Sequence, residues 1–187
     1  TVLVSAEDEF WRTTDGGTTW EVIGDAAFQA LDISAWEFAF DPSDPDIILA
    51  PSSLGMYRST DGGDTWAAVL MEECMTIQHK PDDPSIWYTI QFEPLLGYSR
   101  FYKSTDHGLT WSLRDNGWYT PPTGETGEYD IEGGRLAVTA ADNDRIYAVL
   151  VGYEQPGASI TTNGWVGTWV SNDAGETWSN PHGLVGT

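Results

Sequence analysis

Thr13-Thr14-Asp15-Gly16-Gly17-Thr18-Thr19-Trp20 is a phrase that the chain writes four times. It returns as Ser59-Thr60-Asp61-Gly62-Gly63-Asp64-Thr65-Trp66 and as Ser104-Thr105-Asp106-His107-Gly108-Leu109-Thr110-Trp111. The last copy is Ser171-Asn172-Asp173-Ala174-Gly175-Glu176-Thr177-Trp178. The common skeleton is Ser/Thr-x-Asp-x-Gly-x-Thr-Trp. Its aspartates are residues 15, 61, 106 and 173, so the first two gaps are 46 and 45 residues, and the third, 67, is one period plus an insertion. A fixed period of this length marks an architecture of repeated supersecondary units.

The chemistry of the phrase is that of a hairpin turn. An aspartate accepts backbone N–H bonds inside a turn. The glycine (Gly17, Gly63, Gly108 and Gly175) supplies a left-handed backbone position that a Cβ resists. The threonine and tryptophan open the outgoing strand, with the indole folded back over the turn. Asp15, Trp20, Asp61, Trp66, Asp106, Trp111, Asp173 and Trp178 are therefore expected to be structural, not catalytic or metal-binding.

Outward from each phrase the sequence alternates short strand-like runs with Gly, Pro and Asp turns. In the second repeat, Trp36 to Phe40 alternates and is aromatic, Asp41 to Asp46 is a proline-rich turn, and Ile47 to Ala50 is apolar throughout. Met56 to Ser59 then enters the phrase and Trp66 to Leu70 leaves it. Four short strands of this kind make one antiparallel sheet, the content of a propeller blade. The third repeat follows the same order through Met75–His79, a turn over Lys80 to Ser85, Ile86–Ile90, Arg100–Ser104 and Trp111–Leu113. In the first repeat Thr1 to Val4 serves as the second strand, so the innermost strand is missing. Helical periodicity is absent apart from a turn or two near Asp25 to Leu31. The fold class is all-β: a β-propeller segment of four-stranded antiparallel blades spanning 1–187. Blade 1 is partial (1–24), blade 2 covers 25–71, blade 3 covers 72–114 and blade 4 covers 115–187. Blade 4 carries insertions at 115–133 and 152–166.

These residues resemble the Asp-box, or bacterial neuraminidase repeat, and the flanking Asp-Pro turns match as well. The spacing is most similar to the long propellers of the sortilin and xyloglucanase types. The resemblance implies a closed ring; about four blades are present, and closed rings typically hold about four to eight. The chain therefore reads as part of a larger ring, with the remainder of a larger propeller chain as its neighbour. A small four-bladed ring closed by its tail is the alternative. Fold analogy alone does not fix activity.

Composition narrows the partners. With 29 acidic against 8 basic residues, the net charge of −21 repels a phosphate backbone and an anionic membrane surface. No nucleic acid partner and no membrane insertion are expected, since no apolar run reaches about 18 residues. Cys74 is the one cysteine, so no internal disulfide forms. The chain starts at Thr1 without a signal peptide and reads as a mature form or a piece of something longer. His79, His107 and His182 lack ligand spacing. No cofactor is expected; calcium is the one ion that the carboxylates of Asp41, Asp44 and Asp46 would suit, although the prolines there fit a turn better than a calcium loop.

Strand direction gives the segment two faces. The phrases and the Asp-Pro turns share one, and the insertions lie on the other. The insertions are aromatic and acidic, with Trp118, Tyr119, Tyr129, Asp130, Tyr153, Glu154 and Trp165 as candidate ligand-binding residues; the opposing reading packs these aromatics onto the blade. Long loops on a rigid scaffold often carry function. The expected function is a secreted or surface-exposed, non-catalytic recognition scaffold that binds glycan or protein through these loops. A polysaccharide-degrading hydrolase is the alternative, with Glu37, Glu72, Glu73, Asp130 and Glu132 at the mouth as candidate carboxylates, because hydrolysis takes a pair. A protein-docking assembly factor is the third reading. A sialidase would require an arginine cluster. Arg12, Arg58 and Lys103 share one position before the phrase and read as structural, leaving Arg100, Arg114 and Arg135.

Overall fold

The computed structural model describes residues 1–6, 9–120, 129–154 and 164–183, with the side chains of 129–132, 153, 154 and 183 outside that description. The sheets fall one per repeat. Blade 1 is a three-stranded sheet of β1 (Val2–Ala6), β2 (Glu9–Thr13) and β3 (Glu21–Ile23). A four-residue helix, α1 (Ala26–Gln29), follows, capped by the Asp25 carboxylate on the Phe28 N–H. Blade 2 runs in chain order through β4 (Ala39–Phe40), β5 (Ile48–Ser52), β6 (Gly55–Ser59) and β7 (Ala67–Met71). Blade 3 does the same with β8 (Cys74–Lys80), β9 (Asp83–Glu93), β10 (Tyr98–Ser104) and β11 (Ser112–Leu113). Blade 4 holds β12 (Tyr129–Thr139), β13 (Asp142–Glu154), β14 (Trp165–Ser171) and β15 (Ser179–Gly183). Every pairing is antiparallel, and blade 1 lacks the inner strand that the other three possess.

Two expectations need correction. The turn read over Lys80 to Ser85 is tighter, because β8 and β9 take up all of it but Pro81 and Asp82. The insertions at 115–133 and 152–166 are not loops throughout: β12 and β13 continue into them, pairing Tyr129 with Glu154 and Asp130 with Tyr153. A register shift between Asp130 and Gly133 lets the hairpin keep growing past the common blade length.

Each repeated phrase is the hairpin between the third and fourth strands. In blade 2 the Asp61 carboxylate accepts bonds from Ser59 Oγ at 2.8 Å, Thr65 N at 2.9 Å and Thr65 Oγ1 at 2.6 Å, while Ser59 Oγ accepts from Gly63 N at 2.9 Å. The same pattern recurs around Asp15, Asp106 and Asp173. Trp66 and Trp111 each donate their indole N–H to the glycine carbonyl of their own turn. The hairpin is thus a small closed circuit in which backbone donors meet an ionised acceptor.

The indole also leaves its own blade. Trp66 packs edge-on against Phe10 of blade 1 with centroids 5.2 Å apart, Trp178 meets Phe101 of blade 3 at 4.6 Å, and Trp111 joins Leu49 and Met56 of blade 2 in one apolar cluster. Blades 2, 3 and 4 therefore each insert their tryptophan into the rear face of the blade before them. Burying an indole of about 150–250 Å² at about 25 cal/mol per Å² contributes at most roughly 4–6 kcal/mol per junction. Trp20, which meets no other blade among the described residues, is 42% exposed, against 9% for Trp66 and 6% for Trp178. The turn glycine makes the same approach: a Cβ on Gly108 would lie 2.6 Å from Leu49 Cδ1.

Polar groups reinforce each junction. Arg12 Nη1 donates to Gly62 O at 2.9 Å, Arg58 Nε to His107 O at 2.9 Å, and Lys103 Nζ to the Glu176 carboxylate at 2.7 Å. The position before the phrase is structural, as its repetition implies: it ties each blade to the next. His107 Nδ1 also lies 2.6 Å from Asp41, whose side chain is fully buried in the blade 2 turn. Burial alone would raise the Asp41 carboxyl, but hydrogen bonds from Ser43 and His107 outweigh it and hold it below its ordinary value.

The glycine approach is measurable by alanine substitution. Gly16 and Gly108 have φ of +75° and +74°, yet a Cβ at Gly16 meets nothing within 4 Å. Chemical denaturation should show Gly108→Ala costing at least about 1 kcal/mol more than Gly16→Ala, because the first adds an inter-blade clash to the common backbone strain; equal costs would refute the wedge. The aspartates predict acid sensitivity. Hydrogen bonds from the Thr19 N–H and hydroxyl, then from Thr13, lower the Asp15 carboxyl to about 2. At Asp61, Asp106 and Asp173, burial raises the carboxyl but the hydrogen bonds of the turn leave it lowered. A carboxyl depressed in the folded state contributes stability that is full above its unfolded value of about 3.9 and lost as pH falls through the folded one. Thermal melts should hold level above about pH 5 and fall steeply toward about pH 2, and replacing Asp61 with asparagine should flatten part of that fall.

Candidate functional site

The inner strands start on the face opposite the hairpins, and there the segment opens a cleft of about 410 Å³. Trp36 and Glu73 stand at its mouth, on the segments leading into β4 and β8. Met75 of β8 and Gly133, Gly134 and Arg135 of β12 form its wall, with Val149 and Val151 of β13 behind them. The backbone holds Trp36 firmly. Trp36 N donates to Pro51 O at 2.9 Å, Ala35 bridges to Ser52, and Ala35 N donates to Ser5 Oγ. The indole itself is 48% exposed, the exposure of a contact surface and not of a core residue.

Arg135 fixes the far side. Its Nη1 donates to Met75 O at 2.5 Å and to Gly134 O at 3.2 Å, joining blade 4 to blade 3 across the cleft floor. Gly133 and Gly134 keep that floor low: a Cβ on Gly133 would stand 2.5 Å from Val151 Cγ2, and one on Gly134 would stand 2.8 Å from Ile90 Cδ1. The cleft is thus apolar at its base and edged by an indole, a carboxylate and a guanidinium. That is the composition of a site that orients a ligand with few polar groups.

The sequence candidates divide into groups. Trp118 and Tyr119 do not face a ligand: they are 4% and 9% exposed and belong to the largest apolar cluster, with Trp169 and Trp178. Trp118 Nε1 donates to Ser99 O at 2.8 Å, and Trp118 meets Trp178 edge-on at 4.7 Å. The linker crosses the junction of blades 3 and 4, so its aromatics fill that junction instead of facing solvent. Trp165 is 43% exposed and pairs in register with Val151 at the cleft. The side chains of Tyr129, Asp130, Glu132, Tyr153 and Glu154 lie outside the described residues.

Of the mouth carboxylates, Glu37 is spent on structure, since it accepts the Ile77 N–H of the next blade at 2.6 Å. Glu72 sits in the linker between β7 and β8 at φ +69°, while Glu73 lines the cleft. The three remaining arginines do not cluster: Arg100 pairs with Asp115 at 2.5 Å, Arg114 with Glu176 at 3.0 Å, and Arg135 with backbone carbonyls. Asp41 Oδ1 accepts from the Ser43 N–H and hydroxyl, and Asp44 from Asp46 N. Among the described residues, no group of three or more His, Cys, Asp or Glu is arranged to hold a metal ion, and no helix is long and apolar enough to cross a membrane. Sequence reasoning missed Trp36 as a residue lining the cleft. Its signal was an aromatic that opens an inner strand next to a glutamate, but an alternating aromatic run reads first as core.

The family model described as BNR/Asp-box repeat matches residues 57–68 and 102–113. No curated protein matches the chain. Among solved structures, an ancestral GH74 enzyme is similar over 98% of this chain and 22% of its own, at TM-score 0.72 and 14% identity. The GH74 xyloglucanase from Xanthomonas campestris matches over 95% of this chain and 27% of its own, at TM-score 0.67 and 18% identity. The Niastella koreensis GH74 enzyme matches over 94% and 26%, at TM-score 0.63 and 22% identity. The chain thus spans about a quarter of the length of these GH74 chains, and at such identities the likeness speaks for the fold alone. This chain carries BNR/Asp-box repeats, and its four-stranded antiparallel blades have the β-propeller fold.

Proposed function

We propose that this segment is a non-catalytic recognition scaffold, secreted or at a cell surface, that binds a neutral glycan in the cleft opposite the Asp-boxes. The half-exposed Trp36 at the mouth carries the reading. An indole face offers apolar contact to the C–H side of a sugar ring. Glu73 and Arg135 supply an acceptor and donors for hydroxyl groups at the same edge. Trp165, beside Val151, adds a second exposed indole. The net charge of −21 disfavours an anionic polysaccharide, so the sugar is neutral or cationic.

The absence of a catalytic role is part of the proposal. Glycoside hydrolysis takes two carboxylates across one bond, and Glu73 is the one carboxylate among the described residues lining the cleft. The GH74 likeness does not lend its activity to this chain, because it speaks for the blades only. Docking of another protein on the same mouth is the second reading. It would use the same indoles without requiring hydroxyl partners.

Calorimetric titration with xyloglucan and mixed-linkage glucan oligosaccharides tests the proposal, alongside an assay for newly formed reducing ends. Trp36→Ala should weaken binding at least tenfold, about 1.4 kcal/mol, with the thermal midpoint little changed, and no reducing ends should appear. Release of oligosaccharides would replace the scaffold with a hydrolase. No heat with any neutral glycan would leave protein docking.

A further inference from the structure

We infer that Asn116 is a site of spontaneous covalent modification: its side-chain amide closes onto the Gly117 nitrogen, and the isoaspartate that results loosens the junction of blades 3 and 4. Asparagine stands at residues 116, 143, 163, 172 and 180. Asn143 and Asn172 are each followed by an aspartate, whose side chain crowds the nitrogen that must attack. Asn180 is followed by Pro181, which has no N–H. Asn116 and Asn163 precede glycine, which has no Cβ to hinder the approach. Asn163 lies outside the described residues, whereas Asn116 sits between two blades that are both described.

The local geometry leaves the pair open to reaction. Asn116 and Gly117 are both exposed, so water and base reach them. They are the central residues of a turn closed by Trp118 N, which donates to Asp115 O at 3.0 Å. Among the described residues, nothing bonds the Asn116 side-chain amide or the Gly117 N–H. Asn172, by contrast, accepts from Arg145 Nε on its Oδ1 at 2.9 Å. The fold also keeps the labile pair in place. Gly117 has a left-handed φ of +78°, and a Cβ on it would collide with Trp178 O, so no slower neighbour can replace it.

The reaction balances with water as the one co-reactant. The Gly117 nitrogen loses its proton to solvent base and attacks Asn116 Cγ. A C–N bond forms, the Cγ–Nδ2 bond breaks, and the amide nitrogen takes up a proton and leaves as ammonia. Water then opens the cyclic imide at Cγ, giving aspartate, or at the main-chain carbonyl, giving isoaspartate, whose backbone runs through the side chain. Isoaspartate adds a methylene to the chain where there is least room. Asn116 O accepts the Trp178 N–H at 2.8 Å, and Gly117 lies against the Trp178 backbone. The next residue, Trp118, meets Trp178 and Phe101 in the apolar cluster that joins blades 3 and 4. Displacing the turn breaks the Trp178 bond and disturbs that cluster, whereas aspartate of normal linkage leaves the backbone where it was.

Peptide mapping by mass spectrometry after incubation at mildly alkaline pH tests the site on the full chain, with isoaspartate labelled by an isoaspartyl methyltransferase. Asn116 should convert at least about tenfold faster than Asn143 and Asn172, and Asn116→Gln should abolish the signal from that peptide. Aged wild-type protein should melt at least about 2 °C below fresh protein, while Asn116→Gln aged alongside keeps its midpoint. Asn116→Asp, which carries the charge without the extra backbone atom, should melt within about 1 °C of fresh wild type. Conversion at Asn116 no faster than at Asn143 and Asn172 overturns the proposal. So does isoaspartate at Asn116 that leaves the melt unchanged, an Asn116→Gln protein that loses stability on ageing as wild type does, or an Asn116→Asp variant as unstable as the aged protein. None of these readings involves a ligand, so they stand apart from glycan binding.

Discussion

Every junction in this molecule rests on one wedge: a hairpin stiffened from within by an ionised aspartate, with its indole and its glycine pressed against the blade before it. The two halves of the wedge need each other. Without the ring of bonds from Ser59 and Thr65 to Asp61, the turn could not hold Trp66 at a fixed angle. Without Phe10 and Phe28 across the junction, the indole would have no apolar seat. The backbone hydrogen bonds of the blades fix strands within each sheet, but it is the wedge that fixes one sheet on another. This explains why the phrase is nearly constant while the strands around it vary freely among apolar residues.

The wedge also sorts the faces. With the hairpins and the Asp-Pro turns consumed in joining blades, that end of the segment is dense with internal bonds, as the His107 to Asp41 contact and the Gly62 to Asp46 contact illustrate. The opposite end carries few such obligations. Glu37 and Arg135 still bind the inner strands of neighbouring blades there, yet Trp36 and the glycine floor at 133 and 134 remain open. An exposed indole beside a low apolar floor is a surface that can change without disturbing the bonds that hold the blades together.

The acidity of the chain has a related logic. Several carboxylates are spent inside turns, where backbone and hydroxyl donors hold them ionised, and others accept from the few basic residues that cross between blades. The rest face solvent and set a negative field around a neutral, aromatic mouth. Such a field discriminates among ligands by charge before any contact forms.

The amino-acid sequence by itself determined the repeat, the strand order within each blade, the missing inner strand of blade 1 and the structural role of the aspartates. All of these follow from local chemistry: turn residues, alternation and hydrogen bonds between groups only a few positions apart. Two readings failed for the opposite reason. Trp118 and Tyr119 read as candidate ligand-binding aromatics with packing onto the blade as the opposing reading, and it is the approach of blade 3 to blade 4 that buries them. Trp36 read as part of a strand, and only the gap between three inner strands exposes it. Whether an aromatic side chain ends in a core or at a site depends on which distant blade arrives beside it. That depends on the summed geometry of the junctions, which no window of sequence contains and only the tertiary structure decided.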